Sequence, residues 1–89
     1  MWAMNVSMPY TNADLAQVMG NVLGVAPSSI DASTSIDTVA SWDSLKHLNL
    51  VIALEERFRV TLSEDDTIEI LNYPLIKMTL EKHGVTFTE

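Results

Sequence analysis

The sequence predicts an all-α fold, a four-helix bundle with three main helices, one short helix and a long loop between the first and second helices. Its 89 residues are 47% apolar, which is enough for one small domain with a core. Apolar residues recur at helical spacing in residues 11–23 and 43–58. A cap at Ser63 and a break at Asn72-Tyr73-Pro74 divide the following sequence into a short third helix and a fourth helix.

The first helix is predicted to begin at Thr11 or Asn12, either of which can act as its N-cap, with Asp14 in its first turn. Gly24 is a stop signal at its C-terminus. Its buried face follows the i, i+3, i+4, i+7, i+8 spacing and consists of Leu15, Val18, Met19, Val22 and Leu23. Gly20 lies inside this pattern at a cost of about 1 kcal/mol relative to alanine, which suggests a close contact with another helix.

The segment from Val25 to Ser41 is rich in Ser, Thr, Asp and Ala and is predicted to be a long loop. Loops of this length are uncommon in small domains and are often functional. Four apolar side chains are expected to hold the loop on the bundle: Val25, Ile30, Ile36 and Val39. Trp42 follows, and packing within the loop is favoured for it over contact with a substrate.

The second helix, in the segment from Trp42 to Phe58, is predicted to be apolar on two sides. Asp43 is its expected N-cap, and Ser44 follows at the N-terminus, where the helix dipole favours a negative group such as a phosphate. The core side consists of His47, Leu50, Val51, Leu54 and Phe58. The other side begins at Ser44 and contains Leu45, Leu48, Ile52, Glu55 and Glu56. Because a surface helix needs only one apolar side, the second side is a candidate docking face.

After a short extended link, Ser63 is predicted to cap a third helix with acids in its first turn, and three apolar residues suit this helix: Ile68, Ile70 and Leu71. Pro74 suits the first turn of the fourth helix. The inner face of that helix consists of Leu75, Ile76, Thr79 and Leu80. The folded domain is expected to span residues 11–84, between flexible tails at 1–10 and 85–89.

Composition excludes several classes of protein. The chain has twelve Asp and Glu against five Lys and Arg, for a formal net charge of −7, which disfavours nucleic acid as a partner. No apolar run is long enough to cross a membrane, and the N-terminus lacks the features of a signal peptide, so we expect a cytoplasmic monomer. Without cysteine the chain has no disulfide, no thiolate metal site and no thiol of its own.

The sequence contains no self-sufficient catalytic or metal site. A triad would need a carboxylate that orients His47, and Ser44 and His47 alone do not supply one. A partly buried, hydrogen-bonded His47 is therefore favoured over a catalytic one. His83 lies in a last helical turn, where a cation is favourable, and needs no further role. The acids after Ser63 lack the ligand spacing of a calcium loop. We expect neither catalysis nor a bound metal.

The Asp-Ser-Leu sequence that contains Ser44, followed by LVIALEERF and VTLSEDD, resembles the acyl carrier protein family. The match covers the chain from Thr11 to His83 and implies the four-helix bundle of that family. In the family, the motif serine carries a 4′-phosphopantetheine arm. The resemblance implies that a phosphopantetheinyl transferase joins the arm to Ser44, and that the terminal thiol of the arm holds an acyl or aminoacyl group as a thioester.

The resemblance also implies a docking role for the exposed side of the second helix. Asp43 matches a residue that helps the transferase recognise the site. Leu45 and Ile52 match positions where exposed apolar side chains dock partners, and Glu55 and Glu56 match acids that meet basic partner residues. The implied partners are the transferase, an acyl- or aminoacyl-loading enzyme and a downstream acyltransferase or synthase.

Two departures from the family pattern indicate a pathway. The family often has glycine before Asp-Ser-Leu, whereas Trp42 resembles a subset of free-standing carriers with a Trp-Asp-Ser-Leu motif in specialised pathways. Lys46 and Asn49 stand where carriers of fatty-acid synthesis usually have acids. These departures imply a discrete carrier for a polyketide-like or aminoacyl-using pathway.

Two other functions compete with a carrier. An unmodified acidic interaction module would dock a partner through Leu45 and Ile52, and it predicts that Ser44→Ala leaves function intact. A small hydrolase that uses Ser44 is disfavoured, because the sequence indicates neither an oxyanion arrangement nor an oriented base. The cargo of a carrier is not readable from the chain, since partner enzymes choose it.

Overall fold

The computed structural model describes residues 9–88, which form the predicted all-α bundle. The α-helices of this part of the chain are, in order, α1 (Asn12–Leu23), α2 (Ser44–Phe58), α3 (Glu64–Glu69) and α4 (Tyr73–Lys82). A single 3-10 turn (Pro27–Ser29), which the sequence analysis does not predict, lies in the long loop. Across residues 9–88, no helix has the length and apolar character needed to cross a membrane.

Local sequence signals place the helix ends. Thr11 and Asp14 form a capping box at the start of α1, in which each side chain accepts a hydrogen bond from the backbone N–H of the other residue. Gly24 ends α1 in the left-handed conformation, with φ of 75°. Ser63 and Asp66 form a second capping box at α3. The predicted helix starts and stops at these residues are confirmed.

The core lies where the inner faces of α1, α2 and α4 meet. Its fully buried large side chains are Leu15, Met19, Leu23, Leu50, Leu54, Ile70, Ile76 and Leu80. The predicted core sides of α1, α2 and α4 are therefore confirmed, with Val22 and Leu75 partly buried at their margins. Within the third helical segment, Ile70 follows the end of α3 and enters the core, whereas Ile68 and Leu71 are exposed.

The long loop is held by fewer apolar side chains than expected. Ile30 is buried, and Val25 and Val39 pack partly against the core. Ile36 is 37% exposed, so the prediction that it holds the loop on the bundle is wrong. The backbone does this instead, because the N–H of Ile36 donates to the carbonyl of Leu71 at 2.9 Å.

Gly20 makes the close contact that its place inside a helix suggests, but with the loop instead of another helix. A Cβ atom at Gly20 would lie 2.8 Å from the carbonyl oxygen of Val25 and 3.2 Å from the nitrogen of Pro27. The absence of a side chain at this position therefore lets the long loop start directly against α1.

The packed part of the chain extends beyond the expected bounds of 11–84. Tyr10 donates its backbone N–H to the carbonyl of Thr86 at 2.8 Å, and its ring meets that of Phe58 edge to face at 4.7 Å between centroids. Tyr10 and the C-terminal segment are thus packed on the bundle, which differs from the flexible tails that we expect from the sequence. The rest of the predicted N-terminal tail, residues 1–8, lies outside the described residues.

Candidate functional site

Ser44 is the first residue of α2, and its side chain is exposed. Asp43 is the N-cap, as predicted, and its Oδ1 accepts the backbone N–H of Lys46 at 2.9 Å. Within residues 9–88, the Ser44 hydroxyl forms no hydrogen bond with another side chain or with the backbone. The result is an open hydroxyl at a capped helix start.

Two contacts made by the residues just before Asp43 hold the end of the long loop. The hydroxyl of Ser41 donates to the carbonyl of Leu23 at 2.6 Å, which ties the loop to the end of α1. Trp42 is only 3% exposed, and its indole N–H donates to Nδ1 of His47 at 3.1 Å. Packing of Trp42 and a partly buried, hydrogen-bonded His47 are both confirmed.

The outward side of α2 is apolar in the way the periodicity predicts. The exposed fractions are 65% for Leu45, 57% for Leu48 and 47% for Ile52, so these side chains contribute little to the core. Their exposure is confirmed, while their role in docking stays a prediction.

The two acids on this side of α2 differ from each other. The Glu55 side chain is half-buried, and its Oε2 accepts the backbone N–H of Leu62 at 2.9 Å. Glu55 therefore anchors the link between α2 and α3, a role that the sequence analysis does not predict. Glu56 is exposed and remains available to a partner.

A buried carboxylate, Asp66, lies between α3 and the end of α4, where two more exposed side chains contact it. Asp66 is buried, and its carboxylate accepts the N–H of Ser63 at 3.0 Å and pairs with Nε2 of His83 at 2.7 Å and Nζ of Lys82 at 3.1 Å. The Ser63 N–H, followed by His83 and Lys82, holds the pKa of Asp66 well below its ordinary value.

These contacts overturn the expectation that His83 needs no further role, because His83 joins α4 to α3 through Asp66. Of these contacts, only the one between Ser63 and Asp66 had a local signal in the sequence, the Ser-x-x-Asp spacing of the cap. The contacts of Asp66 with Lys82 and His83 had none. Across residues 9–88, no group of three or more His, Cys, Asp or Glu side chains could hold a metal ion.

Comparisons with known proteins identify the family. The family model for the phosphopantetheine attachment site matches residues 13–73, more than half of the chain. An acyl carrier protein of Chlamydia trachomatis serovar L2 is 27% identical over 70 residues, which are 79% of this chain and 91% of that protein. The solution NMR structure of holo acyl carrier protein from Geobacter metallireducens has the same fold, with a TM-score of 0.72 at 22% identity over 82% of this chain and 84% of that one. The chain therefore belongs to the acyl carrier protein family, as a non-catalytic carrier that bears a 4′-phosphopantetheine arm.

Proposed function

We propose that Ser44 is the residue to which the phosphopantetheine arm is attached. The observation that supports this assignment is the open hydroxyl of Ser44 at the first residue of α2. The hydroxyls of two other serines close to helix starts are engaged, since Ser41 donates to the carbonyl of Leu23 and Ser63 accepts the N–H of Asp66. An acceptor serine must be free to meet the active site of a transferase, and Ser44 meets that condition.

The surroundings of Ser44 fit the phosphodiester of the arm. The first turn of α2 presents backbone N–H groups and the positive end of the helix dipole, which favour a negative group. Lys46 adds a positive charge two residues later, and the carboxylate of Asp43 is engaged with the N–H of Lys46. When attached, the arm supplies a thiol, which a chain without cysteine lacks, to hold an acyl or aminoacyl group as a thioester.

The mass of the intact protein after incubation with coenzyme A and a promiscuous phosphopantetheinyl transferase tests this assignment. The wild type is expected to gain one phosphopantetheine group and Ser44→Ala none. Ser41→Ala is the matched control and should gain the group, because the Ser41 hydroxyl is already bonded to Leu23. An equal gain in Ser44→Ala would move the site elsewhere. A folded wild type without any gain would favour the interaction module that docks through Leu45 and Ile52.

The transferase and the pathway enzymes dock, in this proposal, on the exposed side of α2, through Asp43, Leu45, Leu48, Ile52, Glu55 and Glu56. Covering a leucine or isoleucine side chain completely is worth about 1.5–3 kcal/mol, so three exposed apolar residues offer a strong contact. Glu56 is the more accessible of the two acids, because Glu55 is engaged with the backbone of Leu62. Ile52→Asp should raise the KM of the transferase for the carrier while leaving the helical circular dichroism unchanged. An unchanged KM would remove Ile52 from the docking face.

The cargo belongs, in this proposal, to a specialised polyketide-like or aminoacyl-using pathway. Lys46 and Asn49 replace acids that are usual in carriers of fatty-acid synthesis, and Glu55 is partly engaged within the fold. The outward side of α2 is thus less negative than a partner selected for an acidic helix requires. A generic fatty-acid malonyltransferase should load the holo protein poorly, and Lys46→Glu should improve loading. Efficient loading that Lys46→Glu does not improve would contradict this assignment.

A further inference from the structure

Three elements meet at the His47 side chain. Its Nδ1 lies 3.1 Å from the indole nitrogen of Trp42, at the end of the long loop, and its Nε2 lies 2.7 Å from the carbonyl oxygen of Thr67 in α3. The Trp42 and His47 rings are inclined by only 23°, with centroids 6.1 Å apart. A side chain of α2 therefore bridges the loop that delivers Ser44 and the following helix.

The partners determine where the imidazole carries its proton. The indole nitrogen of Trp42 is a donor only, so Nδ1 of His47 must be the acceptor and carries no hydrogen. Nε2 then carries the proton and donates to the carbonyl of Thr67, which can only accept. Both hydrogen bonds require the neutral Nε2–H tautomer, because a hydrogen on Nδ1 would face the N–H of Trp42.

The bond to Thr67 gives the short helix α3 a tertiary contact. This helix ends at Glu69, so the carbonyl of Thr67 belongs to its last turn, where carbonyls lack partners within the helix. Six residues are too few for a helix that is stable without tertiary contacts. Asp66 ties α3 to the end of α4, and His47 ties it to α2.

The bridge lies next to exposed apolar side chains on both helices. Leu48 follows His47 on α2, and Ile68 follows Thr67 on α3, and both are exposed. The His47–Thr67 bond therefore joins α2 and α3 at positions directly beside an exposed apolar side chain on each helix.

We propose that His47 is a positioning residue, which holds α3 at a fixed distance from α2 and so shapes the surface that the phosphopantetheinyl transferase binds. This inference rests on the proposed attachment of the arm to Ser44. His47 does not touch the reacting hydroxyl, and the cap of the helix start joins the Asp43 carboxylate to the N–H of Lys46 without the imidazole. Loss of the bridge therefore weakens binding of the carrier to the transferase and leaves the transfer step nearly unchanged.

Nitrogen NMR of the unmodified wild type tests the bridge without any transferase. Nδ1 of His47 should resonate as an unprotonated nitrogen and Nε2 as a protonated one, and the indole N–H of Trp42 should exchange slowly with solvent. A His47 with its proton on Nδ1, or a fast-exchanging Trp42 indole, would overturn the proposal whatever happens at Ser44.

Two replacements of His47 separate hydrogen bonding from volume. His47→Phe keeps a ring and loses both bonds, and its KM with the transferase should rise at least about fivefold, or about 1 kcal/mol of binding, with kcat nearly unchanged. His47→Gln offers a carbonyl to Trp42 and an amide N–H to Thr67, so it should restore most of the wild-type KM. The control Gln17→Ala, on the exposed side of α1, should behave as the wild type.

Each outcome decides for or against the bridge. A wild-type KM in His47→Phe, or equal defects in His47→Phe and His47→Gln, would overturn the proposal. If His47→Phe fails to fold, the KM of His47→Gln and the tautomer of His47 in the wild type still test the bridge. A wild type that gains no arm would refute the attachment to Ser44, and the NMR result would then judge the bridge alone.

Discussion

Replacing Gly20 by alanine sets two effects of known sign against each other. Alanine is better than glycine inside a helix by about 1 kcal/mol. Against this, the new Cβ would lie 2.8 Å from the oxygen of Val25 and 3.2 Å and 3.3 Å from the nitrogen and Cα of Pro27. These are backbone atoms of the loop start, which cannot rotate away as a side chain would. Forcing a group into such a contact costs about 1–3 kcal/mol, and three contacts at once favour the upper part of that range. We therefore expect Gly20→Ala to be less stable than the wild type by about 1–2 kcal/mol.

Urea unfolding followed by circular dichroism measures this difference as a lower midpoint at an unchanged slope. Asn21→Ala, on the exposed side of the same helix, is the matched control, because it gains helix propensity without a contact. The control should be slightly more stable than the wild type, by about 0.5 kcal/mol. A Gly20→Ala variant as stable as the wild type, or more so, would show that the loop start yields freely and would refute the reasoning.

Three further changes test individual contacts by urea unfolding. Asp66→Asn should have a lower free energy of unfolding than the wild type at pH 7. Because the folded state holds the pKa of Asp66 below the ordinary 3.8, the stabilisation by its carboxylate declines as the pH falls below that value, so the difference in unfolding free energy between wild type and variant should be smaller at pH 3. An equal difference at both pH values would contradict this. Glu55→Ala should lower the free energy of unfolding by about 1–2 kcal/mol, because the N–H of Leu62 loses its acceptor. The control Glu56→Ala should change it by no more than about 0.5 kcal/mol, and equal losses in the two variants would show that the Glu55 contact does not stabilise the fold. Arg59→Gly should raise the free energy of unfolding by up to about 1 kcal/mol, because Arg59 ends α2 in the left-handed conformation, with φ of 57°, which glycine adopts without strain. A lower urea midpoint in this variant would contradict the prediction.

The helix ends were predictable because each signal lies within a few residues of the backbone group that it serves. Thr11, Asp43 and Ser63 each accept an N–H three residues ahead, and Gly24 supplies the left-handed stop. The core side of α2 was predictable for a similar reason, since the helical repeat alone decides which residues share a face.

The features that the sequence analysis did not predict share a different cause, which is contact between residues far apart in the chain. Ile36 is an apolar loop residue whose side chain is nevertheless exposed, while its backbone N–H bonds to the carbonyl of Leu71, far away in the chain. From the helical repeat alone Glu55 is a surface acid, but the link after α2 brings the N–H of Leu62 to its carboxylate. In the sequence Tyr10 belongs to a predicted tail, but in the structure its backbone is hydrogen-bonded to that of Thr86 and Thr88 in the C-terminal segment.

The placement of Ser44 at a capped helix start, with an apolar outward side behind it, follows from residues 43–58 alone, because propensity, capping and periodicity act over one or two helical turns. The partners of the buried polar groups were decided only when the helices packed. Neither the imidazole of His47 nor the carboxylate of Asp66 has its full set of partners nearby in sequence. A buried polar group must find a partner, and the packing of the helices selects which one lies within reach.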